Sequence, residues 1–234
     1  MYDCLSFDTE TDGPEPEEAR IISAALVRFT DGIPVERHTF LLQPERPIPP
    51  EAIAVHGITT EHAEAEGVDR AEALGEIARL LALPADSGVP IVVFNARYDL
   101  TLMDRELARV GLQSDLAGAG PVYDPLVLDR ELDRYRKGKR TLGACCAHYG
   151  IRLDNAHSAD ADAEAAGWLT FALIEAFPDV PWHLPWEVHA RQQTWAAGQA
   201  ARLQKWFDSK LRPGEERRVT RGEWPLIPTG SFSH

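Results

Sequence analysis

Three strand-like runs crowd the first 42 residues, and their order restricts the fold more than any other feature of this chain. YDCLSFD comes first, RIISAALVRF (20–29) second and VERHTFLL (35–42) third. Asp31-Gly32 separates the last two, a dipeptide that closes hairpins because it tolerates positive φ. After the proline-rich QPERPIPP segment the hydrophobic period lengthens, and helical patterns follow around residues 51–66 and 70–83. PIVVFN is a short apolar run of the buried-strand type, and ARYDLTLMDRELARVG is a helix that Gly111 stops. A short strand is expected at PVYD, then a helix through 125–137, a short helix at TLGACCAHYG and a long one at SADADAEAAGWLTFALIEAF. A meander followed by alternating strands and helices predicts a mixed α/β sheet with helices on both faces. PDVPWHLPWE carries three prolines and is expected to link this domain to a further helix, roughly 187–211, and an irregular tail. The expected division is therefore a domain over 1–177, a linker over 178–186 and a C-terminal helix and tail over 187–234.

Composition narrows the function classes. An apolar fraction of 44% is that of an ordinary globular chain with a sizeable core. No apolar run approaches the ~20 residues that span a bilayer, and a strand pattern rather than a basic leader opens the chain. Three cysteines are too few for a disulfide framework, so reduced thiols and a cytoplasmic location are expected. A formal net charge of −13 argues against a protein that coats nucleic acid through a broad basic surface. It leaves room for an enzyme that grips a few nucleotides at an acidic metal site. One basic run stands out: Arg130, Arg134, Arg136, Lys137, Lys139 and Arg140. It can track a phosphate backbone, or be a solvated helix end whose charge is offset by Asp129, Glu131 and Asp133.

Asp8 and Glu10 end the first strand. Residues two apart on a strand share a face, so the carboxylates lie side by side, an unfavourable pairing unless a cation sits between them. Hard oxygen ligands of this kind suit Mg²⁺ or Mn²⁺. Asp-x-Glu is also common on surfaces, so later residues must decide. Asp99 shares a helix face with Met103, Leu107 and Val110, which places a carboxylate on an apolar stripe. A first-turn acid favoured by the helix dipole is the alternative, but it would prefer the solvent face. Asp162 shares a face with Ala166, Leu169 and Leu173, whereas Asp160, Glu164 and Glu175 lie on another, solvated one that also carries Trp168 and Phe171. Asp160 has a structural role available as a first-turn acid near a Ser158 cap. His157, just before this helix, is placed to take a proton from water, or is an ordinary loop histidine. The other histidines show no paired spacing of the zinc-binding kind.

Taken together these residues resemble the DEDDh 3′–5′ exonucleases, the family that includes the proofreading epsilon subunit of bacterial replicative DNA polymerase. Three motifs occur in order: FDTETDG (7–13), NARYD (95–99) and HSADADA (157–163). VHGIT (55–59) is similar to the family's loop that holds the terminal nucleotide. The tyrosine branch of the family would need Tyr where Ser158 stands, so the histidine branch fits better. The resemblance covers about residues 1–177. It implies an RNase H-like fold with a five-stranded mixed sheet flanked by helices, here with a C-terminal helical extension. It implies that Asp8, Glu10, Asp99 and Asp162 bind two Mg²⁺ or Mn²⁺ ions and that His157 is the general base. Two such ions clamp the attacking and leaving oxygens of an in-line phosphoryl displacement. Thr9, Thr11, His56 and Asn95 would bind substrate, while Thr59 is also placed to cap the helix that follows.

The expected substrate is a single-stranded or frayed DNA 3′ end, with an RNA exonuclease of the same fold as the neighbouring reading. A non-catalytic nucleic-acid-binding subunit would not need four acids and a histidine. In the last helix Trp195, Gln199, Leu203, Trp206 and Phe207 recur at helical intervals. That stripe either packs on the catalytic domain or docks a polymerase or clamp.

Overall fold

The computed structural model describes residues 2–83, 87–118, 120–153, 158–212 and 214–229. Its five-stranded sheet runs in the order β3-β2-β1-β4-β5, with β1 Cys4–Thr11 at the centre. β2 Ile21–Thr30 pairs antiparallel with β1, and β3 Ile33–Leu41 pairs antiparallel with β2. The turn between β2 and β3 holds Asp31 and Gly32 at φ 50° and 76°, as the hairpin dipeptide predicts. β4 Ile91–Val92 and β5 Val122–Tyr123 continue the sheet parallel to β1. The expected mixed sheet is therefore present.

β4 is much shorter than the PIVVFN run, and this opens the site. It pairs with β1 only at Leu5 and Ser6, so Asp8 and Glu10 lie beyond the last ladder bond on that edge. Strand ends that outrun their parallel neighbour leave a crevice at the carboxyl edge of the sheet.

Helices cover both faces. One core joins Leu5 and Phe7 of β1 to α3 Arg70–Ala82 and α4 Ala96–Arg109. The other joins Cys4, Ala25, Val27 and Phe29 to α7 Ala159–Ala176. α7 lies close to the sheet because Gly167 has no side chain: a Cβ there would come within 2.5 Å of the Phe29 ring. Ser6 Oγ donates to the Ala163 carbonyl at 2.5 Å and fixes the height of α7 against β1.

Two helical expectations need correction. The 51–66 pattern is two helices, α1 Pro50–His56 and α2 Thr60–Glu66, because Gly57 caps the first in the left-handed region at φ 75°. Thr59 caps the second, its side chain accepting from the His62 amide at 3.2 Å. The 125–137 helix ends early, as α5 Pro125–Leu132. Its continuation is folded into a loop in which Arg140 donates to the Asp133 and Arg136 carbonyls and Gly138 takes φ 106°. α6 Leu142–His148 follows.

α8 Pro185–Lys210 begins on Pro185, inside the proline-rich stretch. Val188, His189 and Gln192 are buried. His189 Nδ1 accepts from the Val122 amide at 2.9 Å, and Gln192 Nε2 donates to the Val122 carbonyl at 2.8 Å. These bonds cover the free edge of β5. The aromatic stripe divides: Trp195 packs against both cores, whereas Leu203 and Trp206 are exposed. Among the described residues no helix is long and apolar enough to cross a membrane.

Candidate active site

β1 supplies Asp8 and Glu10 on the face toward α7, and α7 supplies Asp162 from its first turn. One carboxylate oxygen from each of the three lies within 4.8 Å of the other two. Asp160, two residues earlier, is exposed.

Asp99 stands on the other side of β1. Thr9 points away from Asp8 and Glu10, and its hydroxyl donates to Asp99 Oδ1 at 2.6 Å. Asp99 is nevertheless close enough for its charge to act on both Asp8 and Glu10. The fourth carboxylate thus approaches the other three around the strand rather than joining their triangle.

Asp8, Glu10 and Asp99 hold their protons more tightly than ordinary carboxylates. Burial raises Asp8 well above the ordinary carboxylate range, and the charges of Asp99, Asp162 and Glu10 raise it further. Glu10 is pushed up to about 7 by burial, then by Asp162 and Asp99. Burial lifts Asp99 to about 7 against the opposing Thr9 bond. The donor set fits a hard divalent cation: converging carboxylate oxygens, half-buried, whose mutual repulsion a cation would remove.

Beside Glu10 a groove of about 840 Å³ is lined by Phe40, His56, Ile58 and Ser158 among others. His56 Nδ1 accepts from the Ile58 amide at 3.1 Å, so in the neutral ring the proton sits on Nε2. That nitrogen is buried, on the side of the Thr11 backbone. Burial lowers the His56 pKa, against an opposing bond with the Thr11 backbone, and so favours the neutral ring. Thr11 Oγ1 is 2.8 Å from Tyr98 Oη, and both hydroxyls meet the Gly13 carbonyl. Asn95 begins α4 in the left-handed region, at φ 67°. His157 lies outside the described residues.

Sequence reasoning missed the residue that holds these parts in register, Asp124. It is buried, and its Oδ1 accepts from the Asn95 amide at 2.9 Å while Oδ2 accepts from the Ala96 amide at 3.0 Å. It also caps α5 through the Leu126 amide. The same carboxylate therefore anchors the starts of two helices, one of them carrying Asp99. Trp224 Nε1 donates to Oδ2 at 3.1 Å, and the Asp124 amide donates to Gln192 at 2.7 Å. The segment carrying Trp224 lies along α4. Arg97, Thr101 and Arg105, one stripe of that helix, meet the Arg221 carbonyl, the Ile227 amide and the Ile227 carbonyl. The only sequence signal for Asp124 is an acid before Pro125, an N-cap pattern with nothing in it about distant partners.

Comparison with known proteins agrees with this architecture. Residues 5–169 match the family described as Exonuclease, well over half of the chain, so the chain belongs to the exonuclease family. The three-motif resemblance is borne out at family level, and the expected RNase H-like fold is present. It is 33% identical over 175 residues to a DNA polymerase III subunit epsilon-like protein of Rhodobacter capsulatus, covering 73% of this chain and 23% of that one. It is 30% identical over 169 residues to the PolC-type DNA polymerase III of Lacticaseibacillus paracasei, covering 71% of this chain and 11% of that one. The chain thus spans under a quarter of either relative. Its fold is similar to E. coli exonuclease I solved with a dT13 oligonucleotide, at TM-score 0.67 and 23% identity, covering 76% of this chain and 42% of that one.

Proposed function

We propose that this protein is a metal-dependent 3′–5′ exonuclease that releases mononucleotides from single-stranded or frayed DNA ends. The observation that carries the reading is the triangle of Asp8, Glu10 and Asp162, three carboxylates whose oxygens converge within 4.8 Å of one another. Asp8, Glu10, Asp99 and Asp162 would hold two Mg²⁺ or Mn²⁺ ions, which supply electrophilic stabilisation of charge on phosphate and on the leaving oxygen. Thr9 holds Asp99 toward the strand end. His157 accepts a proton from the attacking water as the new oxygen–phosphorus bond forms and the bond to the 3′-oxygen breaks. His56, which lines the groove, and Asn95, at the start of α4, position the terminal nucleotide. Thr11, braced by Tyr98 and Gly13, shapes the floor beneath it.

Single-stranded DNA is favoured because the likeness in fold extends to a protein solved with an oligothymidylate. Opening a matched duplex also costs roughly 1–2 kcal/mol per step. The names of the relatives add a proofreading setting, in which the exposed Leu203 and Trp206 of α8 would face a polymerase or clamp.

Matched 3′-labelled DNA and RNA strands, incubated with Mg²⁺, Mn²⁺ or chelator, provide the test. The expected result is stepwise release of mononucleotides from DNA in either metal and none in chelator. His157→Ala should lower kcat by roughly 10²- to 10⁴-fold with little change in KM. Metal-independent release would overturn the reading, and a large preference for RNA would replace its substrate.

A further inference from the structure

Beyond Arg130, the five cations between residues 134 and 140 divide into two sets. Arg136 and Arg140 turn inward to the buried Asp129, at 3.0 and 2.5 Å. Arg136 and Arg140 also bond the loop's own carbonyls, at Lys139, Asp133 and Arg136. The loop is thereby tied to a fixed internal hub. Arg134, Lys137 and Lys139 point the other way and are exposed, and between them Tyr135 is 91% exposed. The acids interleaved with the run do not neutralise these cations. Asp129 takes Arg136 and Arg140, Glu131 pairs with Arg202 of α8 at 2.7 Å, and Asp133 meets His148 at 3.1 Å. A built loop thus presents an aromatic ring among three cations that form no ion pair among the described residues, on a protein of net charge −13.

α8 serves as a ruler for where the loop lies. His189 meets Val122, Gln192 meets Asp124, Gln199 meets Val127 and Arg202 meets Glu131. β5 and α5 therefore advance along α8 in one direction, about 20 Å at 1.5 Å per residue. That direction runs out through the carboxyl end of β5, which is parallel to β4 and so to β1, whose carboxyl end bears Asp8 and Glu10. The loop stands past the catalytic edge of the sheet. α6, which follows it, brings Cys146 close enough to feel the charge of Asp162.

We infer that Tyr135, Arg134, Lys137 and Lys139 form a second contact for single-stranded nucleic acid: Tyr135 stacks a base several nucleotides from the 3′ end while the cations follow the backbone. Aromatic rings interleaved with cations are how sequence-tolerant single-strand grooves are built. The role assigned to the strand rests on the exonuclease reading, since it needs a 3′ end in the carboxylate site.

Fluorescence anisotropy with a labelled 20-nucleotide DNA strand in chelator tests the contact without hydrolysis. Tyr135→Leu is expected to raise Kd about 10-fold. The triple variant Arg134→Ser, Lys137→Ser, Lys139→Ser should flatten the slope of log Kd against log salt by about 2, at roughly 0.7 per phosphate for single strands. A control triple variant, Lys205→Ser, Lys210→Ser, Arg212→Ser, removes the same charge from the end of α8 and should bind as the wild type does. In Mg²⁺, KM of the loop variants should rise more for the 20-mer than for a trinucleotide. Wild-type affinity in both loop variants, an equal loss in the control, or no binding by the wild type would overturn the contact. Loop-dependent binding without nucleotide release would sink the exonuclease reading and leave the contact standing, whereas release with loop-independent binding would do the reverse.

Discussion

Two groups of buried carboxylates sit on this fold, and they meet the cost of burial in opposite ways. Asp129 is completely buried and brings its own cations. Burial alone would raise its pKa, but the bonds from Arg136 and Arg140 prevail and hold it below the ordinary value. Tyr149 adds a third donor at 3.2 Å. Asp8, Glu10 and Asp162 instead bring their carboxylate oxygens together, and on Asp8 and Glu10 the like charges of the neighbouring acids add to the cost of burial. Asp124 is an intermediate case, surrounded by neutral donors from backbone amides and Trp224, yet still raised by burial. A carboxylate that serves the fold arrives with donors that hold its charge; Asp8 and Glu10 are set among like charges, an arrangement a cation would relieve. Local unfavourable electrostatics is a known mark of functional sites.

The largest expected difference is in turnover. Asp8→Asn should lower kcat about 10³- to 10⁵-fold, roughly 4–7 kcal/mol of barrier, with the fold intact by circular dichroism. Asp129→Asn should leave the rate per folded molecule on a trinucleotide within a few-fold. A fully active Asp8→Asn enzyme would break the contrast outright.

Stability should respond the other way round. Asp129→Ala leaves two arginines facing a buried void, which costs about 3–5 kcal/mol and lowers Tm by about 6–20 °C. Asp8→Asn relieves repulsion and should raise the Tm of the metal-free protein by a few degrees. Calorimetry in chelator reads both, and a shared sign would show that both clusters are structural.

How much of this was legible in the sequence follows from what kind of information each residue needs. Asp8 and Glu10 declare themselves by strand period and Asp99 by an apolar helix stripe, because each pattern lies within one element. The early end of α5 did not, since it is set by Arg140 reaching back to the Asp133 and Arg136 carbonyls. The break at Gly57 was in principle readable, as a glycine between two helical runs. Asp124 was not: its partners Gln192 and Trp224 are 68 and 100 residues away, and a lone N-cap acid says nothing about them. The basic run showed its charge without the division into Arg136 and Arg140 turned inward and Arg134, Lys137 and Lys139 turned outward.

pH separates the two groups more finely. Glu10 has a folded pKa raised from 4.5 to about 7, so the folded state binds the proton more tightly than the unfolded chain. Stability of the metal-free protein should therefore fall as pH rises from about 4.5 to about 7. Asp129 is depressed, so its contribution is present above its ordinary value and is lost only as pH falls below it. The windows do not overlap. Urea titrations in chelator should show Glu10→Gln more stable than wild type by about 1–3 kcal/mol at pH 8, a gap that closes by pH 4.5. A pH-independent gap would mean that Glu10 is not held among uncompensated charges.

A smaller effect tests whether the C-terminal segment supports the site. Trp224→Phe keeps most of the ring but removes the bond from Nε1 to Asp124, at a cost of about 1–2 kcal/mol. Because Asp124 holds the start of the helix that carries Asp99, the variant should also weaken the apparent affinity for Mn²⁺, measured by titration calorimetry. A loss of stability with unchanged Mn²⁺ binding would confine Trp224 to packing.

The smallest effect expected is the most discriminating about helix faces. Asp160 and Asp162 are two residues apart in the first turn of α7, equally favoured by its dipole. A helix turns about 200° over two residues, so the two side chains point in nearly opposite directions. Asp162 reaches the triangle with Asp8 and Glu10, while Asp160 is exposed at the rim of the groove. Asp160→Asn removes only a solvated charge and part of a dipole interaction. It should change stability by less than about 0.5 kcal/mol and kcat by less than about twofold. Asp162→Asn should abolish turnover. Parallel kinetics on one single-stranded substrate decide the matter, and inactivity in the Asp160 variant with activity in the Asp162 variant would invert the face of α7 that serves the site.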